Sequence, residues 1–173
     1  APVADVEYAR ECLSLALKNN ADIYSGKLYN EARISYDSAM VNWQKQNSRF
    51  IFFRDYEKVS EFAKLSASSA VKAREASVLN TSLLRSKTEA KIDTLNKLVS
   101  EINKLFNSYP LESETRNRIS KGKMLLKEAE VNFSKEHYLQ AGRMINESEY
   151  LLTTSFETAS NSLESYFKAF RQW

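Results

Sequence analysis

The sequence predicts an all-α protein, and three observations carry that reading. Its 173 residues include 3 Gly and 2 Pro, far below the average usage of about 7% and 5%, so the tight turns of a sheet protein have almost nothing to form them. Apolar and small residues recur at three- and four-residue spacing nearly throughout, which is the pattern of amphipathic helices. Residues 53–107 contain neither Gly nor Pro, leaving about 55 positions in which nothing breaks a helix.

Five helices follow in order. The first, over 5–20, aligns Val6, Ala9, Leu13 and Ala16 on one face, with Asp5 as its N-cap. Ser25-Gly26 interrupts the pattern. The second, over 27–46, carries Tyr29, Ala32, Tyr36, Ala39 and Trp43 at 3-4-3-4 spacing, opposite a polar face of Asn30, Arg33, Asp37 and Lys45. The third, over 53–107, would extend roughly 80 Å and must find partners along all of it. Its first half offers a thin seam of Tyr56, Val59, Ala63, Ser66, Ala70, Ala73 and Ser77. Its second half offers a bulkier one of Ile92, Leu95, Val99, Ile102, Phe106 and Tyr109. Between the two seams, Leu84, Thr88, Ile92 and Leu95 form a stutter in the heptad, which locally unwinds a left-handed supercoil. The expected boundary lies there, giving segments 1–84 and 85–173 joined by one continuous helix, and Tyr109-Pro110 ends that helix. The fourth helix, over 113–135, turns Ile119, Gly122, Leu126, Ala129 and Phe133 inward. The fifth begins at Tyr138 and keeps its stripe through Ala141, Ile145, Ser148, Leu152, Ser155, Ala159, Ser162, Tyr166 and Ala169 towards Trp173. Glu136-His137 is a short connection, so the last two helices form an antiparallel hairpin in which Gly122 and Gly142 permit close backbone approach.

Part of this pattern repeats. Tyr29-x-x-Ala32, Ala39 and Trp43, then Tyr56-x-x-Val59-x-x-Phe62-Ala63, read like Leu126-x-x-Ala129 and Phe133, then Tyr138-x-x-Ala141-x-x-Met144-Ile145, with an insert in the first copy that contains Phe50, Ile51, Phe52 and Phe53 and accounts for the longer spacing there. The expected architecture is an elongated antiparallel bundle of two three-helix segments sharing one central helix, a layout that resembles a tandem spectrin-type array. A tetratricopeptide reading of the small and large alternation lacks the Trp-Leu-Gly opening, the closing Pro and the repeat period of that solenoid.

Tyr8-Ala9 with Leu13 and Ala16, then Tyr29-x-x-Ala32, Ala39, Tyr56 and the small-residue run from Phe62-Ala63 to Ala76 make the chain resemble an Ala-rich helical domain of unknown function in bacterial envelope proteins and lipoproteins. The resemblance covers residues 4–76 and, more weakly, 111–165. It implies a periplasmic or other extracytoplasmic setting. In some such proteins these helices precede an L,D-transpeptidase domain, whose catalytic Cys and His have no counterpart here. The chain starts at Ala1-Pro2-Val3-Ala4, as a processed or trimmed protein would, and stops at Trp173 inside the apolar run Tyr166, Phe167 and Phe170, which reads as a segment of a longer protein.

Few residues invite a chemical role. The single Cys12 reads as a small buried hydrophobe, with a disulfide to a partner as its alternative. His137 is the one imidazole and lies outside any Glu-x-x-His or His-x-x-x-His pattern. Glu112 with Glu114 and Glu147 with Glu149 sit at i, i+2 and so on different helix faces. Gly26, Gly122 and Gly142 are too far apart for a phosphate loop. The sequence therefore assigns no catalytic, cofactor-binding or metal site. The net charge of +3 arises from interleaved charges, and the 9 Tyr and 9 Phe fall mostly on core stripes, which argues against nucleic acid as partner. No stretch reaches the 18 or so apolar residues of a membrane span.

One local cluster stands out, Arg49, Phe50, Ile51, Phe52, Phe53 and Arg54, because four successive large apolar side chains cannot all face one core. Either the connection folds over the bundle end and caps it, or its rings stand exposed as a docking patch for a protein or membrane surface. The expected function is a non-enzymatic spacer or interaction module of a bacterial cell-envelope protein, with a protein or cell-wall component as partner and no cofactor. The alternatives are an accessory domain of a peptidoglycan-modifying enzyme and a carrier of apolar ligands in a gap beside Ala63, Ala70 and Ala73.

Overall fold

The computed structural model describes residues 2–107, 109 and 111–170, the side chains of 169 and 170 excepted. Among them are six α-helices and no strand: α1 (Val3–Lys18), α2 (Ala21–Tyr24), α3 (Gly26–Asn47), α4 (Glu57–Phe106), α5 (Ser113–Ser134) and α6 (Tyr138–Phe170). A 3-10 turn, Ile51–Phe53, lies between α3 and α4. The all-α class holds. The chain forms two compact units, Ala1–Ser82 and Leu83–Trp173, and α4 contributes residues to both. The expected helix stop at Pro110 and the end of the last stripe at Trp173 lie outside the described residues.

In the first unit the core is made largely of alanine. Val6, Ala9, Leu13 and Ala16 of α1, Ala32 and Ala39 of α3, and Val59, Ala63, Ala70 and Ala73 of α4 are buried, with Tyr29, Tyr36, Trp43 and Tyr56 packed around them. Small side chains let helices approach closely, and Ala63, Ala70 and Ala73 are fully enclosed, so the gap expected beside them for a ligand is closed. Cys12 is buried and unpaired in this core.

The break after α1 differs from expectation. Asn20 takes a left-handed conformation with φ 55, which Asn tolerates better than most residues, and a four-residue helix precedes Ser25. The linker carbonyls are then satisfied from α4, since Ser77 Oγ donates to Asn19 O at 2.6 Å and Asn80 Nδ2 to Tyr24 O at 2.8 Å. Ser25 Oγ in turn lies 2.6 Å from Ala73 O. Asp5 is no N-cap, because α1 already begins at Val3. Its carboxylate instead accepts from Ser60 Oγ and faces Lys64 Nζ at 3.9 Å on α4.

The second unit has a bulkier core of Ile92, Leu95, Ile102 and Phe106 from α4, Ile119, Leu126 and Ala129 from α5, and Ile145, Leu152 and Ala159 from α6. Phe106 meets Phe156 edge to face at 6.1 Å. Leu125 and Thr115, which the predicted stripe omits, are also buried. The α6 stripe holds from Tyr138 to Ala159, but Ser162 and Tyr166 are exposed while Leu163 packs on the core. Only Gly122 makes the expected close approach: a Cβ there would lie 2.8 Å from Leu152 Cγ, whereas one on Gly142 would meet nothing within 4 Å.

The internal repeat has a polar signature that the sequence reading overlooked. In the first unit Ser66 Oγ on α4 donates to Ala32 O on α3 at 2.8 Å, and in the second Ser148 Oγ on α6 donates to Gly122 O on α5 at 2.8 Å. The partners are 34 residues apart in one case and 26 in the other, and the difference is the insert. The aromatic closures match too, Trp43 against Tyr56 at 6.3 Å and Phe133 against Tyr138 at 5.4 Å.

The α5–α6 connection ends α5 in a Schellman motif. Glu136 has φ 63, His137 N–H donates to Asn132 O at 2.9 Å and Glu136 N–H to Phe133 O at 3.0 Å. A side chain in that conformation costs about 1–2 kcal/mol, which glycine avoids. Glu136→Gly is therefore expected to raise stability by about 1 kcal/mol, checked by urea denaturation. A second gain is expected from Ser155→Ala. Ser155 Oγ is buried without a hydrogen-bond partner, a situation that costs about 1–3 kcal/mol, and the repeat places Ala73 at the corresponding position of the first copy. The variant should unfold at higher urea concentration than the parent.

Candidate functional site

The connection from α3 to α4 is the one chemically distinctive surface among the described residues. It runs through residues 48–56, where the corresponding α5–α6 connection needs only 135–137. The helix expected to start at residue 53 starts at Glu57, because the four apolar residues form their own turn and the backbone at Arg54 is extended, with φ −81 and ψ 122. Phe50 is 80% exposed, Ile51 66%, Phe52 89% and Phe53 75%. The rings thus do not cap the bundle end, and polar groups do that work instead.

Those polar groups hold the turn in place. Arg54 folds back, donating from Nε to Arg49 O at 3.0 Å and from Nη2 to Asn47 O at 3.1 Å. Gln46 Oε1 accepts the Asp55 N–H at 3.1 Å, and Tyr56 Oη donates to Asn47 Oδ1 at 2.7 Å. Phe53 N–H closes the 3-10 turn on Phe50 O at 2.9 Å. Asp55 Oδ1 accepts the Glu57 N–H at 2.9 Å, satisfying one of the free donors at the start of α4. Beneath the turn the Trp43 and Tyr56 rings pack edge to face. An ordered, hydrogen-bonded frame thus presents four large apolar side chains to solvent.

Arg54 is the residue whose part the sequence reading missed. Its place beside the apolar run is visible, but its inward direction depends on where the carbonyls of Asn47 and Arg49 point. Because the four apolar side chains have little to lose in the folded state, Phe50→Ser with Phe52→Ser is expected to leave helicity and melting temperature within the change typical of surface substitutions, about 0.5 kcal/mol. Circular dichroism melting checks this, and a large loss would mean that the rings close the core after all.

The other candidates do not come together. His137 is exposed in the α5–α6 connection. Glu147 pairs with Lys121 Nζ at 2.9 Å, while Glu149 pairs with Lys91 across α4 and α6. Glu112 and Glu114 are both exposed at the start of α5. Among the described residues no three His, Cys, Asp or Glu side chains are grouped to hold a metal ion, and no helix is long and apolar enough to cross a membrane. A hydrogen bond and charge interaction with Cys12 push the Tyr8 phenol up, and a hydrogen bond from the Lys168 ammonium, with its charge, pulls the Glu164 carboxyl down. A cavity of about 480 Å³ lies beside Phe106, Leu111, Thr115 and Leu163. Among the described residues its lining has one carboxylate, that of Glu112, and neither a histidine nor a cysteine.

Comparison of the chain with protein-family models, curated proteins and solved structures finds no match.

Proposed function

We propose that this chain is a non-enzymatic helical spacer and interaction module, working in a bacterial cell-envelope protein as the resemblance of its Ala-rich heptads implies. The observation that carries the reading is the exposed turn at Phe50, Ile51, Phe52 and Phe53. Its apolar side chains contribute nothing to the bundle core, and the repeat shows the same kind of helical hairpin closing without them. Exposed apolar surface on an ordered frame is a general mark of an interaction site. The helices supply rigid spacing, and the turn supplies the contact.

Sedimentation of the purified chain with envelope fractions of the source cells tests the reading. The parent is expected to sediment with them and the Phe50→Ser, Phe52→Ser variant to stay in solution. Equal retention of both proteins, or of neither, would overturn it.

A further inference from the structure

We infer that the turn at residues 50–53 docks onto an anionic phospholipid bilayer by shallow insertion of its four apolar side chains. The inference deepens the docking role proposed above and rests on it. Three observations select a lipid surface.

The first is radial geometry. A 3-10 turn has three residues per turn, so Ile51, Phe52 and Phe53 fall about 120° apart around it, and Phe50 precedes them with a non-helical backbone, φ −57 and ψ 142. All four are exposed, so the tip is apolar all round. A protein groove matches one face of an element and would leave the others in water. A bilayer interface surrounds the whole tip, and a short segment apolar on every side suits that medium.

The second is backbone satisfaction. Carrying peptide groups out of water is costly unless they are already hydrogen-bonded. Here Asn47 O and Arg49 O are covered by Arg54, Phe50 O by Phe53 N–H, and Lys45 O by Ser48 Oγ at 2.9 Å. Part of the base of the tip is thus hydrogen-bonded in advance.

The third is charge. Lys45, Arg49, Arg54 and Lys58 are exposed around the tip, against Asp55 and Glu57, an excess of two cations within residues 45–58. Basic groups at the level of lipid headgroups are attracted to anionic leaflets. Trp43 and Tyr56 beneath the turn are of the residue types favoured at that level. No helix of the described residues is long and apolar enough to cross a membrane, and the inferred contact is made by the tip alone.

The test is sedimentation of the full chain with vesicles of phosphatidylcholine alone and of equimolar phosphatidylcholine and phosphatidylglycerol. Binding is expected to the anionic vesicles, with partitioning reduced roughly tenfold or more by Phe50→Ser with Phe52→Ser and reduced also by Arg49→Glu. A Phe52→Trp reporter should shift its emission to the blue on the same vesicles. Failure of the parent to bind anionic vesicles, or equal binding by the serine variant, overturns the inference. So does loss of tip-dependent binding when envelope membranes are stripped with protease, which would identify a protein partner. In that case the docking reading survives and only the lipid assignment fails, whereas envelope binding that ignores the tip defeats both.

Discussion

Leu152→Ala is expected to destabilise the second unit by about 2–5 kcal/mol, the range for truncating a fully enclosed leucine. Leu152 is 0% exposed and its Cγ and Cδ2 lie over Gly122, where a Cβ would be 2.8 and 2.9 Å away. The side chain thus fills a notch that exists only because Gly122 has none. Removing it leaves a void bounded by helix backbone, which cannot collapse as a ring of flexible side chains would. Hydrogen exchange of α6 amides reads the second unit directly, and a loss below about 1 kcal/mol would show that the notch closes up.

The second large effect comes from the opposite side of the same contact. Gly122→Val forces atoms into the space of Leu152 and is expected to cost about 3 kcal/mol, the upper part of the usual overpacking range. The identical change at Gly142, where a Cβ meets open space, should leave stability within about 0.5 kcal/mol, since propensity alone is at stake. Combining Gly122→Val with Leu152→Ala should cost less than the two singles added, because the new methyl groups occupy the vacated volume. Strict additivity in that cycle would mean that the two residues do not share the space.

How far these features could be foreseen depends on what sets them. The core stripes are legible because burial of a helix face follows its own spacing: Val6, Ala9, Leu13 and Ala16 lie inside as their register predicts, as do Ala32, Ala39 and the seam from Val59 to Ser77. Tyr166 carries the same spacing yet is exposed while Leu163 packs on the core, so the inward face near the end of α6 is not the one the spacing names. Gly122 and Gly142 look alike in sequence and differ only in what stands opposite. At the candidate site, composition alone marks the run from Phe50 to Phe53. Whether it folds inward is decided by hydrogen bonds that Arg54 and Tyr56 donate and Gln46 accepts, with groups whose directions emerge only with the backbone. The N-cap expected at Asp5 fails for a related reason, since its carboxylate finds Ser60 and Lys64 on another helix instead of an amide of its own.

The paired serine hydroxyls bear on a weakness of alanine-rich interfaces. Smooth seams have little to oppose the sliding of one helix past another, because a shift of one turn, about 5.4 Å, lays methyl groups over methyl groups again. Ser66 and Ser148 act as detents against that movement: each hydroxyl reaches one carbonyl across the seam, and displacement would strand it in an apolar setting at a cost of about 1–3 kcal/mol. Ser66 thereby helps to define register in the alanine-rich first unit, where side-chain shape offers little purchase, and Ser148 adds to the hold of Leu152 in its notch over Gly122 in the second.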